Sequence, residues 1–331
     1  MSARLGFMLR IPNGDDLTSR YRDALELAVA ADQLGLDSFW VTQHHFGSVD
    51  CPLSSPLVFL AAAAARTKNI RLGTTVITAS LENPIRLAED AATLDVLSGG
   101  RVELGLGTTT NPTERAAFSV SAEGQRELMH RIALEVREAF EGKPVNGLSN
   151  AILQPRTPAL ARRMWLATST REHAIFAASQ GFGLITNYRP LQLNDSNRGY
   201  IEAYCRACSA AGFTPRVGLS RGIFPAKDKA SARRMLAPHA AWSVERGKTF
   251  GWLPATFSVD DYFAREDFYF GHPEEVIAEL AKDPGLPYTT ELLAGMLSAR
   301  LTPSELIPVV ELIATEVAPA LGWKKQHACP Q

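Results

Sequence analysis

A helix followed directly by a strand is visible in residues 21–42, YRDALELAVAADQLGLDSFWVT. Apolar residues recur every three or four positions as far as Leu34, a period typical of an amphipathic helix. Gly35 stands where such a helix commonly ends. Residues 37–42 then form a short, largely apolar run that predicts a buried strand. This helix-to-strand unit is the repeating element of folds built on a parallel sheet.

The same alternation runs along the chain of 331 residues. Eight segments have strand character: residues 4–11, 37–42, 70–78, 102–107, 164–168, 183–187, 217–224 and 290–295. They are apolar on both faces, as expected where helices cover one side and a barrel interior the other. We therefore predict an α/β fold, a (β/α)8 TIM barrel with insertions at strand C-terminal ends, as a single domain over residues 1–331.

Two segments interrupt the alternation. Residues 142–163 are rich in Pro, Gly and Asn and predict an insertion before the fifth strand. Residues 247–271 carry eight aromatic side chains, and a long aromatic loop is a candidate active-site lid. An ordered outer segment with core aromatics explains the same pattern equally well, so both interpretations stay open.

The charge balance indicates a small-molecule partner. Lys and Arg total 34 against 35 Asp and Glu, with no basic cluster, which argues against nucleic acid and membrane surfaces. The longest apolar run, 57–65, is far short of the roughly 20 residues of a membrane span. Arg10 interrupts the apolar start before a signal-peptide core forms, so we expect a cytoplasmic protein. Cys205 and Cys208 form a CxxC without a second pair, so no metal site is expected.

The active site of a TIM barrel lies at the carboxyl ends of the strands. The second predicted strand runs into His44 and His45 at that end. Adjacent residues on an extended chain point in opposite directions, so only one histidine is expected to face the barrel mouth. From spacing alone, a structural histidine is as good an interpretation as a catalytic one.

Small residues follow the third and fourth predicted strands. Gly105 and Gly107 end the fourth strand, and small side chains let a flat ligand approach the backbone closely. Glycines also simply turn a chain, and this pair lacks the third glycine of a dinucleotide fingerprint. Pro112 argues against a helix opening directly after this strand.

Hydroxyl residues follow the fifth predicted strand. Ser169 and Thr170 stand at the start of a predicted helix that contains His173. Hydroxyl groups at such a position commonly cap the helix. The free N–H groups and the positive end of the helix dipole also favour a bound phosphate. Capping alone and an anion site are both open at this point.

Taken together, these segments resemble the bacterial luciferase family of flavin-dependent monooxygenases. The similarity is strongest over residues 31–107. It is carried by DQLGLDSFWV at 32–41, the His-His-Phe triplet at 44–46, IRLGT at 70–74, NPIRLAED at 83–90 and SGGR at 98–101, with weaker matches in GHPEE at 271–275 and EVAP at 316–319.

The resemblance implies a TIM-barrel oxidoreductase that works in two components. A separate NAD(P)H:flavin reductase would deliver reduced FMN, which reacts with O2 to form a C4a-(hydro)peroxyflavin and oxygenates a small organic substrate. His44 would be the catalytic histidine, and Thr75 and Val76 would form a cis peptide under the flavin ring. The cofactor-binding residues that the resemblance implies are Thr75, Val76, Thr108, Arg126, Ala167, Ser169, Thr170 and His173, with Arg126, Ser169, Thr170 and His173 at the phosphate.

Two positions depart from the family pattern. Gln43 stands where the family usually has Glu, which removes a carboxylate that would tune the histidine. Thr108 stands where luciferase itself carries a phosphate-binding Arg. Two alternatives therefore stay open, an F420-dependent hydride-transfer oxidoreductase on the same barrel and a non-catalytic flavin-binding protein.

The sequence does not identify the substrate. Tyr188, Trp242 and Trp252 are predicted to line a partly aromatic substrate pocket or the lid, although contacts within the barrel and the lid explain them equally well. The resemblance also implies a homodimer formed through the early helices.

Overall fold

The computed structural model describes residues 3–14, 16–46, 51–186, 198–249, 251, 253–264, 268–296 and 301–323. The strands are β1 Arg4–Leu9, β2 Ser38–Val41, β3 Arg71–Thr74, β4 Ile77–Thr78, β5 Val102–Gly107, β6 Met164–Thr168, β7 Gly183–Thr186, β8 Val217–Pro225, β9 Phe268–Gly271 and β10 Glu291–Met296. The helices are α1 Leu17–Gln33, α2 Pro56–Ala64, α3 Pro84–Leu97, α4 Pro112–Ala117, α5 Gln125–Glu141, α6 Arg171–Ser179, α7 Arg198–Ala210, α8 Lys229–Thr249, α9 Val259–Phe263, α10 Pro273–Leu280, α11 Pro303–Leu312 and α12 Ala318–Ala320. Within these residues no helix is long and apolar enough to span a membrane.

Parallel pairing closes the sheet into a barrel. The order is β1, β2, β3, β5, β6, β7, β8 and β10, and β10 pairs with both β8 and β1. Helices cover the outside, so the structure confirms the predicted (β/α)8 barrel. All carboxyl ends of the strands meet at one end, which we call the barrel mouth.

Residues of β1 alternate between two cores. Leu5, Phe7 and Leu9 belong to the core between the barrel and its helices. Gly6 and Met8 face the barrel interior, where Met8 packs in a small cluster of buried side chains. A Cβ on Gly6 would lie 2.5 Å from the Ser38 hydroxyl, so this inner position is too crowded for a side chain.

Two indole rings fill the barrel interior. Trp40 and Trp165 are fully buried and meet edge to face at 5.8 Å. A Cβ on Gly73 would lie 2.2 Å from the Trp40 ring, and a Cβ on Gly183 would lie 2.2 Å from the Trp165 ring. These glycines are therefore required by close approach rather than by a turn.

Charged residues close the amino-terminal end of the barrel, and we call them the barrel floor. Arg4 bonds Glu103 at 3.1 Å and also pairs with Glu291, while Arg71 bonds the same Glu103 oxygen. The indole N–H of Trp165 donates to Glu103 at 2.7 Å. Burial raises the pKa of Glu291. Burial also acts to raise the pKa of Glu103, but Arg71 and Arg4 outweigh it, so that pKa is lowered.

Several local features differ from the sequence prediction. The third strand is interrupted and continues as β4, which pairs with β5. The expectation that Pro112 opposes a helix is wrong, because α4 begins at Pro112 itself, where the missing N–H costs nothing. The 142–163 insertion joins α5 to β6 at the amino-terminal end of the barrel, away from the mouth.

The aromatic segment 247–271 contains regular structure. Phe268–Gly271 forms β9, which pairs with the carboxyl end of β8 and was not predicted as a strand. Tyr262, Phe263, Phe268 and Phe270 form one buried aromatic cluster. The apolar run in Phe268–Gly271 is too short for its pattern alone to distinguish a strand from a loop.

We expect Glu103→Gln to lower the free energy of unfolding by about 3 kcal/mol, because it leaves buried positive charge on the floor without its carboxylate. Urea unfolding followed by circular dichroism measures this change. Glu89→Gln removes an exposed partner of Arg86 and serves as the control, with a change below about 0.5 kcal/mol. Equal effects of the two substitutions would contradict a structural role for the floor.

Candidate active site at the barrel mouth

His44 lies just beyond β2, on the same alternate positions as Ser38 and Trp40. Its backbone N–H donates to the Leu53 carbonyl at 2.9 Å, which fixes the chain at this point. Nδ1 lies 3.8 Å from a carboxylate oxygen of Glu114, and the side chain remains 24% exposed. One edge of the ring therefore faces a buried carboxylate and leaves Nε2 on the opposite edge.

Glu114 is the site residue that sequence reasoning missed. It lies in the first turn of α4 and is 1% exposed. One oxygen accepts the His45 backbone N–H at 3.0 Å, and the other accepts the Thr109 hydroxyl. Burial opposes its charge, but the nearby His44 ring and the hydrogen bonds from the Thr109 hydroxyl and the His45 N–H outweigh burial and lower the pKa of Glu114 to about 2. A signal was present in Asn111-Pro112, a helix start with Glu at its third position.

The protonation state of His44 follows from these neighbours. Burial lowers its pKa, and the nearby Arg10 charge adds to this, while Glu114 acts in the opposite direction. His44 is therefore a neutral imidazole at pH 7. A carboxylate beside Nδ1 favours the tautomer with its proton there, which leaves Nε2 as an acceptor.

Gln43 has a full set of hydrogen bonds. Its amide N–H groups donate to Glu82 at 2.8 Å and to the Ser54 carbonyl at 3.1 Å. Its carbonyl accepts the Thr78 N–H at 2.7 Å. A glutamate at position 43 would place its carboxylate beside that of Glu82, and the two negative charges would repel each other. The amide thus fits its surroundings, and the carboxylate beside His44 comes from Glu114 instead.

The His45 ring packs edge-on against Phe118, with ring centroids 4.7 Å apart. Phe46 completes this group and is 63% exposed. The two adjacent histidines therefore have different surroundings, one beside a buried carboxylate and one among aromatic rings.

The peptide bond between Thr75 and Val76 is cis, as the resemblance implies. Val76 packs against the interior cluster that contains Trp40 and Trp165, and its carbonyl accepts the Gln43 N–H at 3.3 Å. A Cβ on Gly107 would lie 2.5 Å from Val76 Cγ2. Backbone and small side chains thus form the surface between β3 and β5.

A pocket opens where β5, α5 and the start of α6 meet. It is lined by Thr108, Arg126, Met129, Ala167, Thr168, Ser169 and His173, which include five of the predicted cofactor residues. Thr170 is the N-cap of α6, but its side chain makes no capping hydrogen bond. Its buried hydroxyl has no hydrogen-bond partner among the described residues. The Thr170 hydroxyl therefore does not cap α6, and Thr170, although predicted at the phosphate, is not among the residues that line the pocket.

His130 is a second residue that sequence reasoning missed. It lies one helical turn after Arg126 on α5, and its Nε2 is 3.2 Å from Nδ1 of His173. Its ring stacks on Phe176 at 3.6 Å. Burial, followed by His173, lowers the pKa of His130 to about 4. Burial, followed by Arg126, also lowers the pKa of His173, so both rings are neutral at pH 7.

Of the predicted substrate-pocket residues, the structure describes Trp242. Tyr188 and Trp252 lie outside the described residues. Trp242 lies on α8, where its ring packs beside His239 and under the Arg246 guanidinium of the same helix. The part of the chain that the structure describes also holds no group of three or more potential metal ligands.

Comparison with known families decides where this barrel belongs. Residues 3–284 match the family described as luciferase-like monooxygenase. The chain belongs to this family. The resemblance in the His44 and Asn83 segments is therefore confirmed, and this luciferase-like protein keeps the family barrel over nearly its whole length.

Two curated relatives illustrate the range of cofactors among luciferase-like proteins. The oxygenase component of a flavin-dependent trigonelline monooxygenase from Acinetobacter baylyi is 24% identical over 215 residues, 60% of this chain and 58% of the relative. An F420-dependent glucose-6-phosphate dehydrogenase from Kineococcus radiotolerans is 37% identical over 134 residues, 37% of this chain and 40% of the relative. The chain spans about half the length of several curated relatives that it matches.

Solved luciferase-like structures share the fold. The monooxygenase RslO1 from Streptomyces bottropensis superposes with a TM-score of 0.79 at 25% identity, covering 96% of this chain and 99% of that one. The oxygenating constituent of 3,6-diketocamphane monooxygenase from Pseudomonas putida, solved with FMN, gives 0.77 at 18% identity, with 96% and 99% covered.

We expect Glu114→Gln to lower the pKa of His44 further, because it removes the neighbour that favours the imidazolium and leaves burial and Arg10 unopposed. A pH titration of the His44 Cε1–H resonance by NMR measures the shift. Glu89→Gln, a loss of an exposed carboxylate, is the matched control and should leave the titration unchanged. A rise in the His44 pKa would refute the assigned contact.

Proposed function

We propose that this protein is the oxygenase component of a two-component monooxygenase. It would take reduced FMN from a separate NAD(P)H:flavin reductase and use O2 to oxygenate a small organic substrate. The observation that carries this proposal is the pocket of Arg126, Ser169 and His173 at the start of α6, on the same barrel mouth as a neutral His44. The flavin-dependent oxygenase relative supports it.

The donors at the pocket fit a phosphate monoester. The first backbone N–H groups of α6 are free of partners within the helix, and the helix dipole is positive there. Arg126 adds a charge-assisted contact from the wall of the pocket. One phosphate would therefore satisfy groups that the folded chain leaves open.

His44 would hold or accept a proton at Nε2, since Nδ1 is turned to Glu114. Glu114 acts as a positioning residue, because its two oxygens are held by Thr109 and the His45 N–H. Thr75 and Val76 would present a smooth backbone surface to the flavin ring, next to the small residues Gly107 and Thr108. Reduced FMN supplies the electrons that activate O2, while the protein orients the ring and controls protons.

Exclusion of water is the remaining requirement, since water diverts such chemistry to hydrogen peroxide. We propose residues 247–271 as the lid over the mouth. The segment is anchored at one end by β9 and at α9 by the Arg233 pair with Asp260 and its contact with the Phe263 ring at 4.6 Å.

A second candidate is hydride transfer with F420. The F420-dependent relative favours it, with 37% identity over 134 residues. A neutral His44 beside a buried carboxylate would serve proton transfer to or from a substrate in that reaction as well.

We further propose a cytoplasmic homodimer formed through the early helices. Val58 on α2 and Val96 and Leu97 on α3 are exposed apolar side chains on this side of the barrel. Burial of such residues against a second copy would remove apolar surface from water.

We expect Arg126→Met to weaken FMN binding by about 10- to 100-fold, which corresponds to the loss of one or more hydrogen bonds to a charged group. Riboflavin lacks the phosphate and should bind wild type and variant equally. Fluorescence titration measures both affinities. Arg131→Met, a loss of an exposed arginine on the same helix, is the control. An equal loss for riboflavin would contradict a phosphate contact.

We expect reductase-supplied reduced FMN and 18O2 to yield a substrate product that carries one labelled oxygen atom, in a screen of aldehydes, ketones, sulfonates and aromatic polyketides. His44→Ala should lower this yield by about 100-fold without weakening FMN binding, as expected for loss of a proton-transfer group. Mass spectrometry provides the measurement, and His272→Asn is the control. Oxidation with F420 and no label would establish the second candidate, and hydrogen peroxide alone would indicate a non-catalytic flavin-binding protein.

A further inference from the structure

Arg10 follows β1 directly at the barrel mouth. Leu5, Phe7, Leu9 and Ile11 all belong to the core between barrel and helices. The alternate positions, Arg4, Gly6 and Met8, face the barrel interior: Arg4 joins the floor and Met8 the interior cluster. Arg10 continues this inner row one step beyond the last strand residue. Its side chain therefore belongs to the mouth rather than to the outer surface.

The two arginines of this row differ in their partners. Arg4 pairs with Glu103 and Glu291 on the floor. Arg10 has neither an ion pair nor a hydrogen bond to any part of the chain that the structure describes, and its Nε is buried without a partner. A buried donor without a partner costs free energy, and a guanidinium is the side chain best suited to grip a planar oxyanion.

The neighbours of Arg10 place it beside the proposed reaction centre. Burial has the largest effect on the pKa of His44 and on that of Cys51, and the positive charge of Arg10 acts on both groups as well. β1 and β2 are adjacent, with Leu9 opposite Val41, so the residues that follow each strand emerge side by side. Arg10 and His44 thus share one sector of the mouth.

The flavin phosphate does not account for Arg10. The pocket around Arg126 and Ser169 lies at β6, and β6 is opposite β1 in the closed barrel, reached through β2, β3 and β5. That pocket already contains its own arginine. Arg10 is a second cation on the far side of the same opening.

We propose that Arg10 binds an oxyanion of the organic substrate, a carboxylate or the equivalent ionised oxygen of an acidic phenol or enol, and holds it beside His44. The proposal rests on the proposed function, because it names the substrate class for that site. The planar guanidinium would bond such a group through two parallel N–H donors. Arg10 would thus select acidic substrates over their neutral analogues.

The test uses benzoate and 1-naphthoate as probes, with benzamide and 1-naphthamide as neutral analogues, bound to the full-length apoprotein by isothermal titration calorimetry. We expect the carboxylates to bind wild type more tightly than the amides, and Arg10→Met to weaken carboxylate binding at least tenfold while amide binding changes less than twofold. Arg10→Lys should fall between, because an ammonium lacks the paired donors. Arg66→Met, a loss of an exposed arginine, should change nothing.

A thermal melt separates this role from a structural one. Because Arg10 has no partner among the residues that the structure describes, Arg10→Met should not lower the melting temperature. A lower melting temperature, absence of carboxylate binding to wild type, or loss of binding in Arg126→Met instead of Arg10→Met would each overturn the proposal. Since these experiments contain no flavin, failure of the protein to bind FMN would contradict the proposed function and leave the Arg10 result intact.

Discussion

The pair of buried glutamates on the barrel floor constrains the whole fold. Glu103 and Glu291 are almost completely buried and lie on β5 and β10, which are not neighbours in the barrel. Their charges are met by Arg4 and Arg71 from β1 and β3. Side chains from these four strands can meet only if the sheet closes into a barrel. Neutralisation of the buried charges therefore depends on barrel closure.

The floor also determines what lies above it. Glu103 accepts the Trp165 indole N–H at 2.7 Å, and Glu291 accepts the Trp40 indole N–H at 3.1 Å. The two rings fill the next layer, and only glycine at positions 73 and 183 leaves room for them. The two indole rings thus fill the barrel interior below the mouth. His44, the cis peptide and the small residues of β5 lie at the mouth itself. The candidate site residues therefore lie at the carboxyl ends of the strands.

The sequence was informative where a pattern is local. The spacing of apolar residues along the chain predicts the alternation of strands and helices. The family motifs around His44 and Asn83 identified the barrel and the cis peptide between Thr75 and Val76. The strand Phe268–Gly271 was missed because four apolar residues carry no distinguishing period. Pro112 was misjudged because its position at the first turn of a helix makes it a helix former rather than a breaker.

Other site features could not be predicted because they depend on distance across the fold. Glu114 meets His44 across 70 positions of sequence, and His130 meets His173 from a different helix. The role of Gln43 also depends on Glu82, which lies 39 positions away. Whether Arg10 has a partner is likewise a property of its surroundings and not of its neighbours in the chain. Single-sequence reasoning finds the residue types at strand ends, whereas tertiary structure decides which of them touch.

The contact between His130 and His173 has a consequence for proton balance. With 3.2 Å between the facing nitrogens, one ring must donate and the other accept, so the two cannot both carry a proton between them. A phosphate dianion beside His173 would raise its affinity for a proton, and the imidazole would take one up from solvent. Binding of the cofactor phosphate would then be coupled to proton uptake. The affinity of the protein for the flavin cofactor would therefore be higher in mildly acidic than in alkaline solution.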